Sequence, residues 1–491
     1  MTARLLPRFA LLSLAFALAL ASRVPATADS LPGLSDATQA AIEARLQKAQ
    51  GKRGEMTCVA IDLDSGKTLI DYDGAHLLAP ASNMKVLTSA AALCTLGSEY
   101  EFVTRVLARG QVANGVLSGD LCIVGGGDPN ISGRFYGDDP LTLLRDWAAK
   151  LKAAGITRID GDLLYDSTLF GGAAFNEGWP QDDQFIRWYC AEVSALAFND
   201  NCINVKVTPG EIGQAAKVEL IPATSYCSVV NETRTIGGKG AALIDLRRER
   251  GQNVIHVKGN VPAGGGGGYV GEITVADPAR FAASVFRETL EAAGISVAGK
   301  TTAHTLEAQE LPGFKTMVEH RAKLAQALVP VNTNSQNLHA EMLLRQLGLA
   351  YAGKGTFKTG IAALREWLEK NSLLDEAMTI LDGSGLAAGN RVSARALAGV
   401  LALMARRDDA EIFRASLAVG GESGTLKKRM RETPLKGNVA AKTGYINGVR
   451  ALSGYLLAGK RRIAFSMLMN DCAEGTPAQD DVLELLAQAL S

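Results

Sequence analysis

Hydrophobic residues follow helical and alternating patterns near both ends of the chain. Ser35 can cap a helix in which Ile42, Leu46 and Ala49 share one face. Strand patterns follow this helix, and more strand patterns precede a final helix at the C-terminus. The predicted strands are 56–62, 67–72, 439–442, 449–458 and 462–469, and the final helix is 478–490. These elements predict an α+β fold with one antiparallel five-stranded sheet covered by helices.

The middle of the chain has a different pattern. From about residue 99 to residue 271, short β-rich runs alternate with glycine-rich turns. A helical pattern begins again at Asp277 and Pro278. We therefore predict that residues 36–98 and 272–491 form one domain and that residues 99–271 are a β-rich insertion.

The first 28 residues are typical of a secretory signal peptide. Arg4 and Arg8 give a basic start, the apolar run 9–21 is short for a membrane span, and small residues at 26–28 offer a cleavage site. An earlier cut after Ala21 and an uncleaved anchor are the alternatives. We expect export across the inner membrane to the periplasm or cell envelope, with association with a membrane surface left open.

Composition narrows the classes of function. The chain has 491 residues, 47% of them hydrophobic, which indicates two or three globular domains and excludes a disordered protein. Its 51 basic and 51 acidic residues give no net charge, so no nucleic-acid partner is expected. The histidines and cysteines form no metal-binding pattern, and neither a metal nor an organic cofactor is expected. A disulfide among Cys190, Cys202 and Cys227 stays open.

The first chemical motif is Ser82-Asn83-Met84-Lys85 at the start of a predicted helix. Residues three apart at a helix start lie on one face, so the Lys85 amine can reach the Ser82 hydroxyl. A serine becomes nucleophilic only with such a neighbouring base. Alone, the motif is also compatible with a helix cap and a surface lysine.

Two further motifs follow downstream. Ser335-Gln336-Asn337 lies in a polar run ahead of an apolar helix, which by itself fits a capping loop. Lys442-Thr443-Gly444 lies on a predicted strand, where a lysine and a hydroxyl can hold a carboxylate and a glycine leaves room for a peptide. An ordinary strand end is the alternative. Together, S-x-x-K, S-x-N and K-T-G in this order are the motif set of serine β-lactamases and penicillin-binding proteins.

The chain resembles more closely the D-alanyl-D-alanine carboxypeptidases/endopeptidases of the class C low-molecular-mass penicillin-binding proteins, peptidase family S13. The segments 124–129, 193–199, 382–386 and 424–426 look like landmarks of that family. The family is also known for a long insertion between its first two motifs. Gln336, where the family often has Asn, and Tyr445 after K-T-G depart from the commonest pattern.

The resemblance implies cleavage of D-alanyl peptides of peptidoglycan, inhibition by β-lactams, and no cofactor. Ser82 would be the nucleophile, Lys85 the base, and Ser335 the proton donor to the leaving amine. The substrate would be held by Asn337, Lys442, Thr443 and Gly444, with an oxyanion hole from the backbone N–H groups of Ser82 and Tyr445.

The resemblance also implies a role for Asp166, whose carboxylate would bind the free amine of a diamino-acid stem peptide. An aspartate that caps a turn at a strand end is the alternative. Two other functions stay open for the whole chain. One is a serine β-lactamase, and the other is a non-catalytic protein that binds penicillin or peptidoglycan.

Overall fold

Runs with a helical hydrophobic period form helices close to where the sequence predicts them. The computed structural model describes residues 33–266 and 268–491, and the predicted signal peptide, residues 1–28, lies outside the described residues. Ser35 caps the first helix, since its hydroxyl accepts from the Thr38 backbone N–H at 3.2 Å. The helices of the described residues are α1 Asp36–Gln50, α2 Met84–Leu96, α3 Thr142–Ala153, α4 Pro278–Ala292, α5 Leu324–Asn332, α6 Asn337–Ala352, α7 Phe357–Lys370, α8 Ala394–Met404, α9 Ala410–Ser416 and α10 Gly475–Leu490.

The strands form several sheets. In chain order, the strands of the described residues are β1 Glu55–Asp62, β2 Thr68–Tyr72, β3 Leu77–Leu78, β4 Glu101–Arg109, β5 Val112–Ala113, β6 Val116–Leu117, β7 Leu121–Val124, β8 Arg158–Ile159, β9 Leu163–Asp166, β10 Cys202–Thr208, β11 Lys217–Ile221, β12 Ser228–Ile236, β13 Leu243–Arg247, β14 Val254–Pro262, β15 Tyr269–Thr274, β16 Ser296–Val297, β17 Thr301–Ala303, β18 Phe314–Lys323, β19 Val392–Ser393, β20 Ala418–Val419, β21 Val439–Ile446, β22 Val449–Ala458 and β23 Arg461–Asn470.

One antiparallel sheet joins the two ends of the chain. Its strand order is β2-β1-β23-β22-β21-β20, and every neighbouring pair is antiparallel. The α+β class is therefore confirmed, but the predicted count of five strands is not. The sixth strand, β20, has only two residues, too few for an alternating pattern to be recognised.

Helices cover both faces of this sheet. Val59 of β1 and Leu468 of β23 belong to the apolar cluster that contains the buried residues of α2 and α8. Cys58 of β1 and Phe465 of β23 belong instead to the cluster formed with α1 and α10. The alternation follows from the two-residue period of a strand. Because Ala441 packs on the α1 and α10 side, Lys442 is directed to the face that carries α2.

The middle segment forms smaller sheets, several of them mixed. One has the strand order β17-β9-β7-β4-β18, with parallel pairs on both sides of β9 and antiparallel pairs on both sides of β4. Its apolar cluster includes Trp147, Phe281 and Phe286. Strands β16 to β18 follow the predicted boundary at residue 272, yet they pair with strands that precede it. The predicted domain limits, 36–98 and 272–491 around 99–271, therefore stay a prediction.

Thiol pairing, membrane spans and metal sites are three further properties of the described residues. All seven cysteines are free, so the open question of a disulfide among Cys190, Cys202 and Cys227 is answered by three unpaired thiols. No helix in the described ranges is long and apolar enough to cross a membrane. Within the same ranges, no group of three or more His, Cys, Asp or Glu side chains is arranged to hold a metal ion.

Candidate active site

Ser82 lies at the entrance to the buried helix α2. It belongs to a single 3-10 turn, Ala81–Asn83, that continues directly into the helix. Ser82 is half-buried, whereas Lys85 is fully buried on the first turn of α2. The Lys85 amine donates to the Ser82 hydroxyl, with 3.0 Å between Nζ and Oγ. The helix start therefore joins a partly exposed hydroxyl to a desolvated amine, as the S-x-x-K spacing predicts.

The Lys85 amine has two further acceptors. Nζ donates to Asn337 Oδ1 at 2.6 Å and to the Ser384 carbonyl at 2.7 Å. Burial lowers the pKa of Lys85 to about 7, while the carboxylates of Asp382 and Glu341 oppose this shift. The amine consequently changes protonation near neutral pH, which suits a general base.

Ser335 and Asn337 lie where α6 begins. Ser335 has a φ of 62°, a left-handed conformation that turns the chain just before the helix. Its hydroxyl accepts from Lys442 Nζ at 2.9 Å. The Asn337 amide is held from both sides, because Nδ2 donates to the Tyr189 carbonyl at 2.8 Å while Oδ1 faces Lys85.

Lys442 is the second fully buried lysine of the site. Its amine donates to Ser335 Oγ and to the Thr443 carbonyl, the latter at 2.8 Å. Burial, and secondarily the neighbouring Lys85 cation, hold the pKa of Lys442 well below its usual range. Thr443 Oγ1 donates to Thr425 Oγ1 at 2.8 Å, which ties β21 to the turn that contains Thr425.

Gly444 lets β21 pass close to the Ser82 turn. A Cβ atom at Gly444 would lie 2.7 Å from the Pro80 carbonyl oxygen and 2.9 Å from Asn83 Nδ2, so a larger residue would push the strand away. Tyr445 is 68% exposed, and the Arg450 guanidinium lies 4.0 Å from its ring centroid, an arrangement typical of a cation–π contact. The two motifs are also joined directly, since Asn83 Nδ2 donates to the Lys442 carbonyl at 3.2 Å.

Eight of the nine site residues predicted from sequence belong to one contiguous region. Hydrogen bonds link Ser82, Lys85 and Asn337, and a second set links Ser335, Lys442 and Thr443. Gly444 and Tyr445 continue the same strand.

Asp166, the ninth, lies at the end of β9 and is 6% exposed. Its Oδ1 accepts from the Thr168 backbone N–H and hydroxyl at 2.7 and 2.6 Å, and its Oδ2 accepts from the Leu306 N–H at 2.8 Å. These bonds are those of the turn-capping alternative. A role in binding a substrate amine stays a prediction.

Several residues at the site have no signal in the sequence motifs. The carbonyls of Ser384 and Tyr189 hold Lys85 and Asn337, but a carbonyl is common to all residues and carries no pattern. Glu341 follows Asn337 by one helical turn, and this spacing on a buried helix was the one clue available. Asp382 lies in the landmark segment 382–386, which gave it no separate role, and it accepts from the Gly385 and Ala387 N–H groups of its own turn.

Comparison with known proteins identifies the family of the chain. Residues 38–490 match the model of the D-Ala-D-Ala carboxypeptidase 3 (S13) family, which is nearly the whole described chain. The chain belongs to this family. Confirmation of the family also confirms the resemblance that the motif set indicated.

The matches to individual relatives extend over most of this chain and most of each relative. A D-alanyl-D-alanine carboxypeptidase of Actinomadura sp. (strain R39) is 34% identical, over 93% of this chain and 87% of that protein. The D-alanyl-D-alanine carboxypeptidase DacB of Haemophilus influenzae is 27% identical, over 85% of each. The crystal structure of penicillin binding protein 4 from Haemophilus influenzae superposes with a TM-score of 0.77 at 24% identity, over 91% of this chain and 99% of that one. This last likeness shows a shared penicillin-binding fold.

Proposed function

We propose that this chain is a serine-type D-Ala-D-Ala carboxypeptidase and endopeptidase that cleaves peptidoglycan stem peptides and cross-links through an acyl-enzyme at Ser82. The observation that carries the proposal is the 3.0 Å contact between the buried Lys85 amine and the Ser82 hydroxyl. Membership of the S13 family and the carboxypeptidase relatives support the substrate class.

Acylation begins when Ser82 Oγ attacks the carbonyl carbon that precedes the terminal D-alanine. Lys85, neutral at that moment, takes the hydroxyl proton. The carbon–nitrogen bond then breaks, and Ser335 passes a proton to the leaving amine. The Ser335 hydroxyl suits this step because Lys442 Nζ donates to it at 2.9 Å and can return a proton. In the second half of the reaction, water attacks the ester carbon and its proton returns to Lys442 through Ser335. The bond to Ser82 Oγ then breaks as Lys85 gives its proton back to Ser82.

Substrate binding uses the strand and the start of α6. The peptide lies along β21, where Gly444 leaves room beside the backbone. Thr443 and the Lys442 cation hold the substrate carboxylate, and Asn337 orients the substrate amide. The backbone N–H groups of Ser82 and Tyr445 form the oxyanion hole.

The place of action follows from the substrate. Peptidoglycan lies outside the cytoplasm, so the protein works in the periplasm or cell envelope, after export by the predicted signal at residues 1–28. Association with a membrane surface stays a prediction. β-Lactams, which acylate penicillin-binding proteins, are the natural inhibitors and the convenient reagents for a test.

The test combines labelling and turnover. A fluorescent penicillin should acylate the wild-type protein at Ser82, as found by peptide mass spectrometry, and a D-Ala-D-Ala stem peptide should release D-alanine. Ser82→Ala should abolish both reactions, whereas Ser228→Ala, which changes an exposed serine of β12, should alter neither.

Three results would contradict the proposal. An adduct on Ser335 or Ser384 would remove Ser82 as the nucleophile. Rapid hydrolysis of penicillin without a lasting adduct would assign the chain to the β-lactamases. A stable adduct with no release of D-alanine would assign it to the non-catalytic binding proteins.

A further inference from the structure

The Lys85 amine rests on a backbone carbonyl that two buried carboxyl groups hold in place. This carbonyl belongs to Ser384, in the turn from Asp382 to Gly385, and accepts from Nζ at 2.7 Å. We propose that Glu341 and Asp382 are positioning residues for Lys85: they fix this turn so that the Ser384 carbonyl directs the amine toward Ser82. The inference rests on the proposed function, in which Lys85 is the general base.

The Ser384 carbonyl matters because of how a neutral amine bonds. A neutral amine has two N–H groups and one lone pair, while Nζ has three neighbours here. The Ser384 carbonyl only accepts hydrogen bonds. Asn337 Oδ1 also only accepts, and the bond from Asn337 Nδ2 to the Tyr189 carbonyl prevents the amide from turning over. The two N–H groups therefore point to these oxygens, and the lone pair is left for the Ser82 proton.

Glu341 holds the turn from the α6 side. Its carboxyl oxygens accept from the Gly383 N–H at 3.1 Å each, and Oε1 also accepts from the Ser384 N–H at 2.7 Å. Glu341 is fully buried and lies one helical turn after Asn337. The same face of α6 thus supplies both supports of the Lys85 amine, one directly and one through the turn.

Asp382 closes the turn from its other end. It is fully buried, and its oxygens accept from the N–H groups of Gly385 at 2.8 Å and Ala387 at 2.7 Å. The Asn390 amide at 2.8 Å, the Trp179 indole N–H at 3.0 Å and the Ser384 hydroxyl at 3.4 Å also donate to it. Five donors on one carboxylate leave the turn little freedom to move.

The turn is also pressed against the backbone that leads into Ser82. Gly385 has a φ of 81°, and a Cβ atom there would lie 1.8 Å from the Ala81 carbonyl oxygen. Thr88 of α2 donates to the Gly383 carbonyl at 2.8 Å. Nucleophile, base and turn are therefore packed as one unit.

The charges around Lys85 are consistent with Glu341 and Asp382 as positioning residues. The groups that face it are Glu341 from α6, Asp382 from the turn and Lys442 from β21, while Arg345 lies one turn beyond Glu341. Burial and the Asp382 carboxylate raise the pKa of Glu341. The two carboxyl groups oppose the loss of the Lys85 proton, so removal of their charge favours the neutral amine at lower pH.

The experiment measures Ser82 acylation by penicillin as a function of pH in the full chain. Glu341→Gln and Asp382→Asn should each slow acylation about tenfold to a hundredfold, since each leaves buried donors of the turn without an acceptor. Asp382→Asn should also move the acid limb of the profile to lower pH. Stem-peptide binding, measured in the Ser82→Ala background, should be unchanged, because neither side chain is proposed to touch substrate.

Two further variants control for loss of stability. Thr88→Val removes only the hydroxyl that donates to the Gly383 carbonyl, so it should slow acylation less than the two carboxyl variants do. This milder variant still tests the role of the turn if a carboxyl variant does not fold. Asp62→Asn changes another fully buried carboxylate, one that accepts from Ser65 and Arg461, and should leave the rate and the pH profile unchanged.

Wild-type acylation rates in folded Glu341 and Asp382 variants, an unmoved acid limb in Asp382→Asn, or a parallel loss of peptide binding would overturn the inference. Failure of the wild-type protein to be acylated at Ser82 would instead overturn the proposed function.

Discussion

Lys85 and Lys442 are two fully buried lysines in one site, and burial lowers the pKa of both. They differ in their partners, since Lys85 contacts Ser82 and Lys442 contacts Ser335. Because the base must be neutral, acylation by penicillin should rise with pH around the Lys85 pKa of about 7. The charged groups that face Lys85 are Lys442, Glu341 and Asp382, so this midpoint reports their combined effect.

Arginine variants separate the two lysines. Lys85→Arg should slow acylation by about 10² to 10⁴, because arginine stays protonated and cannot act as the base. Lys442→Arg keeps the positive charge and should retain measurable activity. Stopped-flow acylation rates from pH 5 to pH 10 check both expectations. Similar activity in Lys85→Arg and the wild-type protein, or a wild-type midpoint near that of a free lysine, would contradict the assignment of the base.

At the scale of elements, the sequence predicted the helices and strands whose hydrophobic residues repeat with a clear period. The predicted strand 449–458 matches β22, and the other four predicted strands of the main sheet begin within one residue of the observed ones. The predicted strand at 439–442 was too short, because β21 continues through Lys442-Thr443-Gly444 to Ile446. Its glycine and exposed tyrosine interrupt the alternation, and only the pairing with β22 extends the strand.

The sequence motifs indicate the candidate residues whose side chains would carry the chemistry, but they do not indicate the backbone groups beside them. S-x-x-K, S-x-N and K-T-G identify groups that only certain residues possess. The Ser384 and Tyr189 carbonyls, by contrast, depend on long-range packing between α2, α6 and distant turns, which no local pattern records. The mixed sheets of the middle segment escaped prediction for the same reason, since parallel pairing joins strands that are far apart in sequence.

Gln336, which departs from the commonest family pattern, bonds to a residue of the middle segment. Gln336 Nε2 donates to Asp200 Oδ2 at 3.3 Å, and the same oxygen accepts from Arg134 Nε at 2.6 Å. Asparagine at position 336 is one methylene shorter and should lose this bond. In a double-mutant cycle, Gln336→Asn and Asp200→Asn should couple by about 0.5 to 1.5 kcal/mol in the free energy of unfolding. Denaturant titration of the four proteins measures the coupling.

An exposed pair offers the matched control for this cycle. Asp139 accepts from Arg145 on the surface of the same segment and has no contact with Gln336. Asp139→Asn should therefore be additive with Gln336→Asn. Additivity in the Asp200 cycle as well would mean that the bond to Gln336 contributes nothing to stability.

At the scale of the whole molecule, the middle segment contacts the candidate site and its supporting turn in three places. Tyr189 holds Asn337, Asp200 holds Gln336, and the Trp179 indole holds Asp382. A segment that was predicted as an insertion thus contributes to the support of the S-x-N motif and of the Asp382 turn, both of which follow it in the chain. Its proposed contribution to substrate recognition depends on Asp166.

Asp166 can cap its turn and bind a substrate amine at the same time. Its carboxylate already accepts from Thr168 and Leu306, but a carboxylate has about four acceptor sites and can take one more charge-assisted bond from a substrate ammonium group. Asp166→Asn should lower kcat/KM for an amine-bearing stem peptide by about 1 to 3 kcal/mol in transition-state stabilisation. Acylation by a small penicillin, which lacks that amine, should be spared.

Thr168→Val serves as the matched variant. It removes the hydroxyl that donates to the Asp166 carboxylate but leaves the charge of that carboxylate in place. It should affect the peptide and the penicillin alike, and only slightly. Steady-state kinetics with amine-bearing and amine-free stem peptides separate the outcomes. Equal losses on all substrates in Asp166→Asn would mean that the carboxylate only stabilises the turn, since a damaged turn cannot distinguish a peptide by its amine.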